Sequence, residues 1–194
     1  MTTIGTALST SLDGFIADSE GKAAGLHDWL TAGDTPTRFN PSFKMARVNA
    51  EFFDEGVGGT GAVVAGRRTY DVSEAWGGRG PMPGLPLFVV THRPPEAVPP
   101  CDPAYTFVTD GVEAAIEQAR AAAGGKNVHL MGASIVQQAI RAGLLDELVI
   151  SVVPIVLGRG VRLLDNLDTG DGMFDIARVI DGPGVTHLVY RVTK

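Results

Sequence analysis

The sequence has little of what secreted, metal-binding and membrane proteins use. One cysteine, Cys101, stands among 194 residues, so an intramolecular disulfide is excluded and no CxxC or Cys/His cluster is available for zinc or an iron–sulfur centre. The longest apolar run, residues 148–157, is about half the ~20 residues that a membrane-spanning helix needs. These shortages predict a protein of a reducing compartment with no bound metal.

Basic residues are also scarce. Lys and Arg number 16 against 22 Asp and Glu, a net charge of −6, which disfavours nucleic acid and anionic membranes as partners. Residues 1–5 carry no basic residue before the first apolar stretch, so they do not predict a signal peptide. We expect a cytoplasmic protein whose partner is a small-molecule substrate, and a bound anion needs a specific cationic pocket.

Strand-like and helix-like patterns alternate along most of the chain. Short apolar runs bounded by Gly, Pro and Asp predict strands at residues 2–9, 62–65, 87–91, 105–109, 128–131 and 148–153. Helices are predicted from a Ser42 cap to Glu55, from residue 66, from a capping box at 110–113 to about 124, and over 135–142 with Gly143 as C-cap. This order is typical of a parallel sheet with helical crossovers.

The C-terminal part has a different pattern. Residues 174–180 and 186–192 read as two strands joined by a tight turn at 181–184, which indicates an antiparallel hairpin. We therefore predict a single α/β domain over residues 1–194. Its central sheet is mostly parallel, with helices on both faces and an antiparallel C-terminal edge hairpin.

Three polar segments follow predicted strands, where open α/β sheets bind ligands. Residues 66–70, GRRTY, combine glycine, two arginines and a hydroxyl, while residues 131–134, MGAS, precede a helix and residues 91–93, THR, end a strand. Each segment also has a purely structural explanation. Residues 66–70 would be a solvated turn, residues 131–134 would contain an ordinary helix cap at Ser134, and residues 91–93 would be an exposed polar turn. Together they indicate a phosphorylated dinucleotide.

Six segments stand in a fixed order: 11–17 SLDGFIA, 66–70 GRRTY, 81–84 PMPG, 90–93 VTHR, 131–134 MGAS and 154–160 PIVLGRG. The first five resemble dihydrofolate reductases and the reductase domain of riboflavin biosynthesis, and the sixth is similar to a loop of the riboflavin branch. The resemblance covers nearly the whole chain and implies the dihydrofolate-reductase-like fold.

The resemblance implies NADPH as cofactor. It assigns to the cofactor site Ala7, Ile16, Gly66, Arg67, Arg68, Thr69, Thr91, His92, Arg93, Met131, Gly132, Ala133, Ser134, Ile135 and Gln138. Ala7 and Ile16 would contact the nicotinamide end. The 2′-phosphate that distinguishes NADPH from NADH asks for cationic donors, and Arg67 with Arg93 would supply them in this acidic chain.

The substrate side is less defined. Leu85 stands where folate-specific enzymes hold an arginine, and Glu51 followed by Asp54 are the candidate proton donors, with a solvated helix face as the alternative. Ser151 aligns with a family hydroxyl that faces the substrate, or it bonds to backbone.

Four further residues are assigned to substrate binding: Trp29, Pro83, Arg159 and Arg162. Surface packing is the plainer interpretation of Trp29 and of the two arginines. None of the four histidines is assigned as a catalytic base.

The resemblance implies an NADPH-dependent reductase similar to 5-amino-6-(5-phosphoribosylamino)uracil reductase, which transfers a hydride to a heterocyclic or ribosylamino-pyrimidine substrate. Residues 10–40 would form a lid. Two alternatives remain open, dihydrofolate reductase proper and a catalytically idle nucleotide-binding or dimerisation domain. A homodimer is also expected, from the riboflavin-type relatives and from the apolar segment 148–157, which a buried central strand explains as well.

Overall fold

A computed structural model describes residues 2–168 and 173–193. In these residues short 3₁₀ segments at Asp28–Thr31 and Glu74–Gly78 accompany the main elements. These are β1 Ile4–Thr10, β2 Phe15–Ala17, β3 Thr35–Pro36, β4 Lys44–Met45, α1 Arg47–Gly59, β5 Thr60–Gly66, α2 Arg67–Val72, β6 Leu87–Val90, β7 Thr106–Val108, α3 Val112–Ala122, β8 Asn127–Met131, α4 Ala133–Arg141, β9 Glu147–Val152, β10 Val161–Arg162, β11 Met173–Gly182 and β12 Val185–Thr193.

Eight of these strands form one sheet in the order β11-β12-β9-β1-β8-β5-β6-β7. The six strands from β9 to β7 are parallel to one another. Strand β12 is antiparallel to β9, and β11 is antiparallel to β12. The predicted parallel core with an antiparallel C-terminal hairpin at its edge is confirmed.

Helices cover both faces of the sheet because side chains alternate along each strand. Ala62 and Val64 of β5 pack in one apolar cluster with residues of α3 and α4. Val63 and Ala65 of the same strand pack in a second cluster with Tyr70 of α2. The two clusters put α2 on the face opposite to α3 and α4, an arrangement that creates the site described below.

Strand β9 lies between β1 and β12, and its Leu148 and Val149 are buried. A central buried strand therefore explains the apolar character of this part of the chain.

Helix α1 begins later than predicted. It starts at Arg47, with Ala46 in the N-cap position, and continues to Gly59 instead of ending at Glu55. Residues 44–45 pair with residues 35–36 as a short antiparallel ladder, so this segment is extended and a cap at Ser42 is excluded.

The expected capping side chains are also absent from the described helices. Gly111 occupies the N-cap of α3 with a φ of 94°, and no side chain caps that helix, so the predicted capping box is wrong. Gly132 holds the same position at α4, where Ser134 is not the cap. The predicted C-terminal Gly143 has a φ of 65°, as an αL cap requires.

The long segment after β1 is packed against the domain. Leu26 and Trp29 are buried in a third apolar cluster with Val153 and Val185. Strand β2 pairs with β10, which ties the start of this segment to the loop after β9. In the part of the chain that the structure describes, no helix is both long and apolar enough to cross a membrane.

Candidate functional site

The site begins where two neighbouring parallel strands send their helices to opposite faces of the sheet. Strand β5 continues through α2 toward β6, while β8 continues through α4 toward β9 on the other side. The chain therefore diverges beyond Gly66 and Met131, and a crevice opens between the carboxyl ends of the two strands. Open α/β sheets bind their ligands at such a switch point.

Glycine is required on one wall of this crevice. Gly132 has a φ of +96°, and a Cβ built on it would lie 2.5 Å from Oγ1 of Thr69. No side chain caps α4, because Ser134 Oγ instead accepts a hydrogen bond of 3.0 Å from Gln138 Nε2. The first amides of α4 are thus left for a ligand, and a helix N-terminus favours an anionic one.

The three arginines beside the crevice differ in whether they already form ion pairs within the protein. Arg67 Nε donates to both carboxylate oxygens of Asp71, at 2.8 and 2.9 Å, and its Nη1 donates to the carbonyl oxygen of Arg93 at 2.6 Å. Arg68 and Arg93 form no ion pair with any residue that the structure describes. Arg67 therefore holds the loop after β6 in place, and the expectation that Arg67 and Arg93 bind a phosphate stays a prediction.

All the predicted cofactor residues line one continuous cleft of about 1830 Å³, which starts at this crevice and extends over the sheet face toward α1. Ser151, Trp29 and Pro83 line the same cleft. Small-molecule pockets usually measure roughly 300–1,000 Å³. The cleft is therefore large enough for an extended dinucleotide and a second ligand.

The part of the cleft over β1 and β9, where a substrate is expected, is here called the substrate half. Ser9 and Ser151 are Cα partners on these strands and both line the cleft, as does Phe52 of α1. Trp29 is only 8% exposed, and its Nε1 donates to Ser9 Oγ at 3.1 Å. Trp29 is thus both an anchor for the segment after β1 and a wall of the cleft. Leu85 lines the cleft as well.

Trp76, for which no binding or catalytic role is predicted, also lines the cleft. It lies in a left-handed stretch in which Glu74, Ala75 and Trp76 have φ values of 48°, 51° and 51°. Non-glycine residues in this region cost roughly 1–3 kcal/mol each and concentrate at functional sites. No short-range pattern in the sequence indicates this conformation.

Behind the substrate half lies a buried polar network that the sequence did not indicate. Ser151 Oγ is 2.8 Å from Nδ1 of His187, and His187 Nε2 is 3.4 Å from Oδ1 of Asn49. Asn49 Nδ2 donates to the carbonyl oxygen of Pro183 at 3.2 Å. Asn49 and His187 are fully buried. Alternation along β12 places His187 inward with Val185 and Val189, and this is the signal that would have found it.

The two candidate proton donors on α1 do not reach the cleft. Glu51 is exposed, and its Oε1 lies 3.8 Å from Nε of Arg47. Asp54 accepts hydrogen bonds of 2.9 and 3.1 Å from the backbone amide of Arg38. The side chains of α1 that line the cleft include Phe52 and Phe53, whereas Glu51 and Asp54 lie together with Arg38 around a separate small pocket. Neither is placed to protonate a ligand in the cleft.

The two loop arginines are also directed elsewhere. Arg162 Nη1 donates to the carbonyl oxygen of Asp13 at 3.1 Å, and its guanidinium lies 4.4 Å from the ring centre of Phe15. Arg159 is exposed. Only Val161 of strand β10 lines the cleft. Arg159 and Arg162 are therefore not brought to the substrate half, and Arg162 stabilises the β2–β10 pairing.

Two histidines on this face of the sheet are neutral. Burial lowers the pKa of His187 to about 4 and that of His129, which lines the cleft on β8, also to about 4. Among the described residues, neither has an acidic partner that would favour the charged form. The sheet face over β8 and β9 is therefore uncharged at these positions near neutral pH.

Comparison with known proteins gives a consistent family. Residues 2–171 match the family described as the RibD C-terminal domain. The curated "Uncharacterized protein YwjB" of Bacillus subtilis (strain 168) is 26% identical over 160 residues, which cover 82% of this chain and 81% of that protein.

Solved structures share the fold. "Putative riboflavin biosynthesis protein" from Shewanella sp. PV-4 has a TM-score of 0.76 and 25% identity over 100% of both chains. Dihydrofolate reductase from Enterococcus faecalis, complexed with NADP(H), has a TM-score of 0.62 and 15% identity over 99% of this chain and 97% of that one. The deaminase/5-amino-6-(5-phosphoribosylamino)uracil reductase of Thermotoga maritima has a TM-score of 0.63 and 15% identity, and this chain covers 57% of it. The dihydrofolate-reductase-like fold is confirmed.

The buried histidines predict a pH-dependent stability. Their folded pKa of about 4 lies below the ordinary 6.5, so below pH 6.5 the unfolded chain takes up protons that the folded chain does not. The free energy of unfolding should therefore fall as the pH is lowered from 6.5 toward 4. Urea denaturation at pH 7 and pH 5 measures this. His187→Asn should lose part of the decrease, and an identical decrease in both proteins would contradict the assignment.

The crevice predicts a strong effect of a single methyl group. Gly132→Ala adds a Cβ against Thr69 Oγ1 at a φ that alanine rarely adopts, so it should weaken dinucleotide binding at least tenfold. Gly143→Ala is the matched control, because Gly143 also has a positive φ but a Cβ there would meet no atom within 4 Å. Calorimetric titration with NADP⁺ measures both. Equal affinities of the two variants would place the ligand elsewhere.

Proposed function

Because the chain belongs to the RibD C-terminal domain family, we propose that it is an NADPH-dependent reductase. Its proposed substrate is a heterocycle of the ribosylamino-pyrimidine type, of which 5-amino-6-(5-phosphoribosylamino)uracil is the example. The family is that of the reductase half of riboflavin-pathway enzymes, so the reaction class follows from the family and the cofactor and substrate are our proposal.

One observation supports the cofactor most directly. The crevice at the switch point combines a glycine that approaches Thr69, free amides at the start of α4, and two arginines without ion-pair partners among the described residues. These features stand in a chain of net charge −6. Unpaired arginines at a helix N-terminus fit a ligand with several phosphates.

The residues present fit a nicotinamide dinucleotide phosphate. Gly132 and the first turn of α4 would hold the pyrophosphate, Arg93 the adenosine phosphate, and Ala7 with Ile16 the nicotinamide end, all in one cleft. When bound, the dinucleotide supplies a hydride. The chain itself binds both ligands, orients them over β1 and β9, and excludes water through Trp29 and Phe52.

The proton that accompanies hydride transfer is assigned to water. Glu51 and Asp54 face away from the cleft, and the groups around Ser151 are neutral hydroxyl, amide and imidazole groups. Among the described residues, the carboxylates that line the cleft are Glu55, which is paired with Arg178 at 2.9 Å, and Glu147 at the start of β9. Glu147 precedes Ser151 by four residues on β9, roughly 13 Å along the strand, and burial raises the pKa of its carboxyl.

The function of dihydrofolate reductase proper fits the lining of the cleft less well. The resemblance to folate enzymes requires an arginine after the PMPG turn to hold the glutamate carboxylate of folate, and Leu85 occupies this place in the cleft wall. An apolar side chain there leaves that carboxylate without a partner. A dihydrofolate substrate is therefore not proposed.

The arginine assignment predicts a preference for NADPH over NADH. Tryptophan fluorescence, confirmed by calorimetry, should show NADPH binding at least tenfold tighter, ~1.4 kcal/mol. Arg93→Gln should remove most of this preference, because NADH lacks the 2′-phosphate. Arg120→Gln, on the exposed surface of α3, is the control and should change neither affinity. Absence of binding to both dinucleotides would remove the basis of the proposed function.

Substrate turnover tests the reaction itself. NADPH oxidation followed by absorbance should depend on added 5-amino-6-(5-phosphoribosylamino)uracil. Glu51→Gln and Asp54→Asn should leave the rate unchanged, since neither side chain reaches the cleft. Tight NADPH binding without turnover of this compound or of related pterins would favour the catalytically idle nucleotide-binding domain.

A further inference from the structure

We propose that Asn49 and His187 fix the hydroxyl of Ser151 as a hydrogen-bond acceptor toward the cleft. The reductase thereby selects substrates whose ring presents an N–H beside a carbonyl, an amide edge. This inference deepens the proposed function and rests on it. It makes Asn49 and His187 positioning residues, which act on the substrate through Ser151.

The direction of every hydrogen bond in the network follows from its far end. The carbonyl oxygen of Pro183 only accepts, so the Asn49 atom 3.2 Å away is the amide nitrogen and Oδ1 faces His187. Oδ1 only accepts, so Nε2 of His187 carries the hydrogen across 3.4 Å. Nδ1 of the neutral ring is then an acceptor, and Ser151 must donate to it at 2.8 Å.

The surroundings of His187 keep this arrangement in place. The ring is fully buried, with Phe52 tilted over it at a centroid distance of 4.5 Å and Trp29 edge-on at 5.2 Å. Asn49 is packed against the hairpin so closely that a Cβ on Gly182 would collide with its Oδ1. Burial lowers the pKa of His187 to about 4, so the ring stays neutral and Nδ1 remains an acceptor near neutral pH.

Ser151 therefore faces the ligand with lone pairs only. Its single hydrogen is directed at His187, and its side chain lines the cleft. A substrate atom next to Ser151 must be a donor, and an acceptor there would find no hydrogen and would lose a hydrogen bond in a buried site.

Ser9 complements this acceptor. It is the Cα partner of Ser151 on the adjacent strand, about 4.8 Å away. Ser9 Oγ accepts from Trp29 Nε1, while its own hydrogen has no acceptor among the described residues. A donor and an acceptor thus lie side by side on the cleft floor. An amide edge, with its oxygen beside its N–H, is the ring chemistry that satisfies both.

The first test reads the network without any substrate. In ¹⁵N-labelled protein at pH 7, a long-range ¹H–¹⁵N spectrum should show His187 with Nε2 protonated and Nδ1 bare, and His187→Asn identifies its signals. The opposite tautomer, or a charged ring, would overturn the proposal.

The second test compares two ring probes that differ in their N–H groups. Calorimetry should show that 5,6-diaminouracil binds at least tenfold more tightly than 5,6-diamino-1,3-dimethyluracil, in which both ring N–H groups are methylated. His187→Leu should reduce this ratio, because the Ser151 hydroxyl is then no longer held as an acceptor toward the cleft. His187→Asn, whose Oδ1 replaces Nδ1 as acceptor, should retain most of the ratio.

A purely structural network gives a different result. It predicts a ratio that survives His187→Leu, or equal binding of the two probes, and either outcome contradicts the proposal, as does failure of both probes to bind. NADPH titration of His187→Leu is the folding control and should match the unmodified protein. Failure of NADPH binding in the unmodified protein would instead count against the proposed function.

Discussion

The site depends on the divergence of the chain after strands β5 and β8. Because α2 and α4 leave these adjacent strands for opposite faces of the sheet, no helix covers the gap between their carboxyl ends. The gap is narrow enough that Gly132 approaches the Thr69 hydroxyl, and only glycine permits that approach. The same divergence leaves the first turn of α4 uncapped and brings the arginines after β5 and β6 to one place. Connectivity therefore accounts for the features on which the proposed anion binding rests.

The far half of the cleft is controlled by a different interaction. Over β9 and β12 the sheet carries neutral polar groups, and they are satisfied by one another across three elements, α1, β9 and β12. Unsatisfied groups at this depth would cost roughly 1–3 kcal/mol each. The network therefore stabilises the fold and, in the same geometry, directs Ser151. A cationic end for phosphates and a neutral end for a ring suit the two parts of a hydride-transfer site.

Much of the fold and of the cleft lining was predictable from local sequence patterns. Alternating strands and helices predicted the sheet, and the Gly-Arg, Thr-His-Arg and Met-Gly-Ala-Ser segments indicated the crevice that they line, since each follows directly from a strand end. The ion pair between Arg67 and Asp71 was also predictable, because the two residues are four positions apart on a helix. The contacts behind the substrate half were not predictable in this way. Asn49 and His187 meet only through the register of β12 on β9 and the late start of α1, neither of which a local pattern indicates.

The central claim is that the crevice between β5 and β8 holds a nicotinamide dinucleotide phosphate whose reactive end lies over β1. A crystal structure of the protein with NADP⁺ tests it most directly. We expect the pyrophosphate on the amides after Gly132, the 2′-phosphate at Arg93, and the nicotinamide ring against Ala7 and Ile16. A dinucleotide bound elsewhere, or bound with its nicotinamide ring away from β1, would contradict it.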